Sequence, residues 1–115
     1  MARKRISREK YRAMRRAISK ANLIGGKYIG KGEGQVCALG ALALEAGVPP
    51  TVLRIRNTEN IHRRPSVARA IKNKFGLTDA EQRKLQYVND VNLSTPDSRK
   101  DRVLTELQRI YEDAD

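Results

Sequence analysis

Residues 36–44, Val-Cys-Ala-Leu-Gly-Ala-Leu-Ala-Leu, carry no charge at all. Wound into a helix over 35–46, this run is apolar on nearly every side, and a helix without a wet face must be enclosed by other elements. Nine residues fall far short of the ~20 that cross a bilayer, so the enclosure has to be protein. Gly40 costs about 1 kcal/mol of helix propensity, which points to a close neighbour there. Gly47 supplies a stop, and Pro49-Pro50 prevents the helix from resuming. The chain has 115 residues, which supports one core and excludes a barrel, a doubly wound nucleotide fold or a multi-domain enzyme. Hydrophobic residues make up 39% of it and charged residues 32%. That apolar share is enough to build a core despite the charge.

The remaining segments supply the enclosing helices. Over 7–22, at 100° per residue, Ile6, Ala13, Met14, Ala17, Ile18 and Ala21 fall on one side. Lys4, Arg5, Arg8, Arg12, Arg15, Arg16 and Lys20 fall on the other. Gly25-Gly26 should end this helix, and the Gly-rich stretch to Gly34 reads as a connection with room for a short hairpin at Tyr28-Ile29. Pro65 can open a helix carrying Val67, Ala70, Ile71 and Phe75 before Gly76. Thr78-Asp79-Ala80-Glu81 has capping-box form and precedes Leu85, Val88 and Val91 as a buried side. A last helix after Thr95-Pro96 repeats Val103, Leu104, Leu107, Ile110 and Tyr111 at helical spacing. The expectation is an all-α, single compact domain of about five helices: a basic flexible tail at 1–5 and one helical domain at 6–115.

Charge is unevenly placed. Residues 1–20 hold nine basic groups against Glu9, and residues 54–74 hold seven against Glu59. Residues 75–115 carry six basic and nine acidic groups within a total of +11. Like charges so concentrated repel one another and favour a partner that neutralises them. Nucleic-acid phosphates meet that need, with Arg5, Arg8, Arg12, Arg15, Arg16, Lys20, Arg54, Arg56, Arg63, Arg64 and Arg69 as the contact residues. An acidic protein surface, that of a host protein for instance, would use the same charges. A membrane surface is disfavoured because the apolar stripe has small residues and no Trp or Phe anchor. Five aromatic residues in all, Tyr11, Tyr28, Phe75, Tyr87 and Tyr111, leave little for a base-stacking platform.

Other chemistries have thin support. One cysteine, Cys37, and one histidine, His62, can make neither an intrachain disulfide nor a zinc site. No cofactor is implied. The basic start lacks a following apolar stretch, so no secretory signal is expected and the protein is read as cytoplasmic. Gly25-Gly26-Lys27-Tyr28-Ile29-Gly30-Lys31-Gly32 approaches a phosphate-binding loop but has Gly32 where a hydroxyl residue is needed. What survives is a weaker idea: free amides at the start of the helix after Gly34, near Lys27 and Lys31, holding a phosphate. Cys37 as a hydrolase nucleophile would need His62 as base and Asn89 or Asp90 to orient it. Cys37 packed as a small apolar side chain is the simpler reading. Residues 42–56 imitate a helix-turn-helix, yet the first helix has no wet face and Arg56 stands where that pattern wants an apolar residue.

In order, a basic amphipathic helix, a Gly/Tyr turn and Gly34-Gln35-Val36-Cys37-Ala38-Leu39-Gly40-Ala41-Leu42 resemble small actinobacterial and actinophage proteins sharing a C-A-L-G-A-L helix. Those proteins carry a later Asn-Asp pair, here Asn89-Asp90, and a closing V-L-x-x-L helix, here Val103-Leu104-Thr105-Glu106-Leu107. The similarity spans about residues 20–112, with Val88 where an aromatic residue commonly precedes the pair. The family has no assigned activity. The resemblance implies a structural cluster of Cys37, Gly40, Asn89 and Asp90, in which Asn89 or Asp90 caps amides near Gly34 to Cys37. The combined expectation is a small non-enzymatic binding protein of bacterial or phage type.

Overall fold

A computed structural model describes residues 5–25, 30, 34–54, 65–91 and 96–114. Their order is α1 (Arg8–Lys20), β1 (Asn22–Leu23), β2 (Gln35–Val36), α2 (Ala38–Glu45), α3 (Pro50–Arg54), α4 (Pro65–Phe75), α5 (Asp79–Asp90) and α6 (Pro96–Asp113). The radius of gyration is 13.1 Å. A single folded unit of about this length has that size. The described residues are mostly helical, as the periodicity requires, with α3 added as a sixth, five-residue helix.

The apolar run becomes α2, and Ala38 through Ala43 are all buried. Helices α1, α4 and α5 pack around it, while α6 lies against α5 and α1. The end of α2 is where its sequence demands. Gly47 takes φ +96°, in the left-handed region that glycine enters without strain. Its amide donates to Leu44 O and that of Val48 to Ala43 O. Those two bonds satisfy carbonyls at the helix end. Burial of Ala38 through Ala43, with Glu45 alone exposed at the helix end, suits a core helix and not the backbone-crossing helix of a helix-turn-helix.

Helix α1 begins at Ser7, whose Oγ accepts from the Lys10 amide at 3.1 Å, as an N-cap hydroxyl does. Glu9 lies in the first turn and Lys20 in the last, the placement that the helix dipole favours. Its buried side is Met14, Ala17 and Ile18, and Ile6 is fully buried just before it. The helix ends at Lys20, short of Gly25-Gly26. Ala21 is extended, and Asn22–Leu23 pairs with Gln35–Val36. That pairing is parallel, so β1 and β2 are not themselves the two arms of a hairpin, which needs antiparallel strands. Tyr28 and Ile29 themselves lie outside the described residues.

Helix α4 buries Val67, Ile71 and Phe75. Gly76 follows at φ +81°, where an added Cβ would also come within 3.0 Å of Arg5 O. Both constraints call for glycine. Helix α5 opens with the expected capping box. Glu81 N donates to Thr78 Oγ1 at 3.1 Å and Thr78 N to Glu81 Oε1 at 3.0 Å. Its inner side departs from the sequence reading. Leu85 is buried, but Gln82, Gln86 and Asn89 accompany it, whereas Val88 and Val91 are only partly covered. The reason lies in what α5 faces. Gln82 Nε2 donates to Ala68 O, on α4, and to Leu77 O, so this polar side chain is satisfied on the buried side.

Helix α6 buries Val103, Leu107 and Ile110. Each such side chain contributes about 2 kcal/mol through the apolar surface it removes from water. The Tyr111 ring stacks on Tyr11 of α1, with centroids 4.3 Å apart and an interplanar angle of 8°. The two rings join the last helix to the first.

Candidate nucleic-acid interface

The outer side of α1 carries the densest described charge. Arg8, Arg12, Arg15, Arg16 and Lys20 are all exposed, and among the described residues none has an ion-pair partner. Arg8, Arg12 and Arg15 follow the i, i+4, i+7 spacing that aligns side chains along one face. Seven steps of about 1.5 Å place the first and last about 10 Å apart. Met14, Ala17 and Ile18 hold the opposite face in the core, so this row is presented by a fixed helix.

The other sequence-derived contacts are distributed differently. Arg69 is exposed on α4 beside exposed Lys72 and Lys74, and α4 packs against α1. The side chain of Arg54, and Arg56, His62, Arg63 and Arg64, lie outside the described residues. Arg5 leaves the proposed face altogether. Its Nη1 and Nη2 donate to the two Glu81 carboxylate oxygens at 2.8 and 2.7 Å, and Nη1 also reaches Gly76 O. The assignment of Arg5 to a free tail is therefore corrected: a bidentate pair ties it to the α4–α5 junction. Hydrogen bonding and the charge of Glu81 hold the Arg5 pKa above its ordinary value. Burial alone would raise that of Glu81, but the Arg5 guanidinium and the Thr78 donors outweigh it and leave the carboxyl below its ordinary value.

The cations of α6 are used in another way. Arg99 Nε donates to Asn89 O at 2.8 Å and Arg102 Nη2 to Val91 O at 3.0 Å, both at the carboxyl end of α5. Lys100 Nζ donates to Ser19 O, near the end of α1, at 2.7 Å. Arg109 pairs with Glu106 within α6. Helix ends expose unpaired carbonyls and a partial negative charge, and cations answer both. Sequence reasoning does not reach this role. Its one available signal is the Arg99–Arg102 spacing of three at the start of a helix that must return along α5.

Cys37, Gly40, Asn89 and Asp90 meet at the amino end of α2. Asn89 Oδ1 accepts from Ala38 N at 3.0 Å, and its Nδ2 donates to Ile24 O at 2.9 Å and Asp90 Oδ1 at 3.0 Å. Gln86 Nε2 donates to Asp90 Oδ2 at 2.8 Å. Cys37 is the N-cap, its Sγ accepting from Gly40 N at 3.3 Å. First-turn amides of α2 are thus engaged internally, which removes the idea that they await a phosphate. Complete burial pushes the Cys37 thiol up to about 12; the Gly40 amide opposes this and the Asp90 charge adds to it. Desolvation acts in that direction because it penalises the thiolate. At neutral pH Cys37 is a protonated thiol, the wrong state for a nucleophile. Asn89 spends its amide group on Ala38 N, Ile24 O and Asp90.

Among the described residues, no helix is long and apolar enough to cross a membrane. No family model, curated protein or solved structure matches the chain.

Proposed function

We propose that this is a small, non-enzymatic, cytoplasmic protein that binds nucleic acid through the phosphate backbone. The observation that carries the reading is the row Arg8, Arg12, Arg15 and Arg16, with Lys20, exposed and without an ion-pair partner among the described residues, on a helix anchored by Met14 and Ile18. Leaving several cations uncompensated on one face repels and destabilises the free protein, and phosphates relieve it while releasing counterions. Arg69, Lys72 and Lys74 are further exposed cations on α4, which packs against α1. The contact would be largely independent of sequence, since guanidinium groups on phosphate fix position without reading bases.

A titration with duplex DNA and duplex RNA across salt tests this. Four or five phosphates neutralised on DNA give a slope of log K against log salt of about −4. Absence of binding at ~50 mM salt removes the proposal. Capture of a stoichiometric acidic protein that survives nuclease would reassign the same face to a protein partner.

A further inference from the structure

Tyr87 is 70% exposed, the single large hydrophobic left uncovered among the described residues. It stands on the outer side of α5, with exposed Arg83 one turn before it at i−4 and exposed Lys84 at i−3. Residues so spaced have Cβ atoms about 5–6 Å apart. No ring among the described residues stacks on Tyr87. The carboxylate nearest the ring along the helix, Asp90, turns inward to Gln86 and Asn89, and Asp79, exposed four residues before Arg83, forms no ion pair with it. From α6, Glu106, Arg109 and Asp113 line a cleft with Lys84, so Lys84 leans toward mixed charge, while Arg83 has no ion-pair partner among the described residues.

We infer that Tyr87 with Arg83 forms a contact for one unpaired nucleotide, the ring taking the base and the guanidinium its phosphate. The inference deepens the nucleic-acid reading above and rests on it. A flat π-face beside a cation matches a base attached to an anion, the combination that single-strand-binding surfaces use. A paired base offers only its edges, so the ring selects a strand with an unstacked base. A protein partner fits less well, because one ring bordered by cations is not the contiguous apolar patch that marks a docking surface.

The test uses the full chain, a short single-stranded oligonucleotide carrying 2-aminopurine, and a blunt duplex of the same sequence. Wild type and Tyr87→Phe should quench the 2-aminopurine on binding. Tyr87→Ala should lose that quenching and about ten-fold in single-strand affinity, with duplex affinity changed by less than about two-fold. Arg83→Gln should reduce the single-strand salt slope by about 0.7. No single-strand binding by wild type, or unchanged affinity and quenching in a Tyr87→Ala protein of wild-type helicity, overturns the inference. In that second case, retained duplex binding leaves the α1 interface standing. Loss of quenching in Tyr87→Ala, alongside duplex binding indifferent to the α1 arginines, would uphold Tyr87 and overturn α1.

Discussion

Helices α1 and α6 are both rich in cations, yet they dispose of them in opposite ways. Arg99, Lys100 and Arg102 of α6 turn toward carbonyls at the ends of α5 and α1, and Arg109 is paired with Glu106. The α1 row has no such partner among the described residues. Positive charge in a sequence is therefore two different things: a set of hydrogen-bond donors that complete the fold, and a surface that the fold leaves uncompensated. Only the second is available to a ligand.

Crossed substitutions give the largest separation of the two. Replacing Arg8, Arg12, Arg15 and Arg16 together with Ala should lower nucleic-acid affinity on the order of 10³-fold at ~50 mM salt. Stability, read by urea unfolding, should move by less than about 1 kcal/mol, because these side chains are exposed on the outer face of the helix. The double change Arg99→Ala, Arg102→Ala should do the reverse, costing about 2 kcal/mol with affinity nearly intact. Equal effects of the two sets on binding would erase the distinction.

A comparable stability loss should follow from a single neutral residue. Asn89 is the partner of Ala38 N and Ile24 O in a buried site. Asn89→Ala strands both groups, at about 2–3 kcal/mol by the same unfolding assay. Binding through α1 should survive in the folded fraction.

The smallest effect concerns Arg5, the one member of the basic run among the described residues that behaves like an α6 cation. The folded Glu81 carboxyl sits below its ordinary value, so the pair stabilises above the usual carboxylate range. That contribution fades as pH falls through the lowered value. Both side chains are partly solvated, so the contribution is about 1 kcal/mol. The stability gap between wild type and Glu81→Gln should be present at pH 7 and shrink as pH falls below the usual carboxylate range. A gap that persists in acid would assign the effect to packing.

Much of this molecule is legible before any coordinates. The buried α2, the capping box at Thr78, the apolar stripes of α1, α4 and α6, and the Arg row follow from periodicity and turn chemistry, which are local. The departures are all long-range. Glycines mark a connection after α1, but the parallel pairing of Asn22–Leu23 with Gln35–Val36 depends on partners well separated in sequence. Apolar Val88 and Val91 read as buried, whereas the inner side of α5 carries Gln82, which donates to Ala68 O and Leu77 O, and Asn89, which accepts from Ala38 N. Arg5 groups with its neighbours in sequence because nothing in residues 1–20 reveals Glu81. The meeting of Cys37, Gly40 and Asn89 joins segments far apart in sequence, which local spacing does not reveal.

Because α2 has no wet face, the order in which the chain is made matters. Synthesis finishes α2 at Glu45, while α5, which seals its amino end, begins only at Asp79. A greasy segment therefore leaves the ribosome well ahead of its cover, and a nascent chain paused in that interval is open to aggregation or to a chaperone.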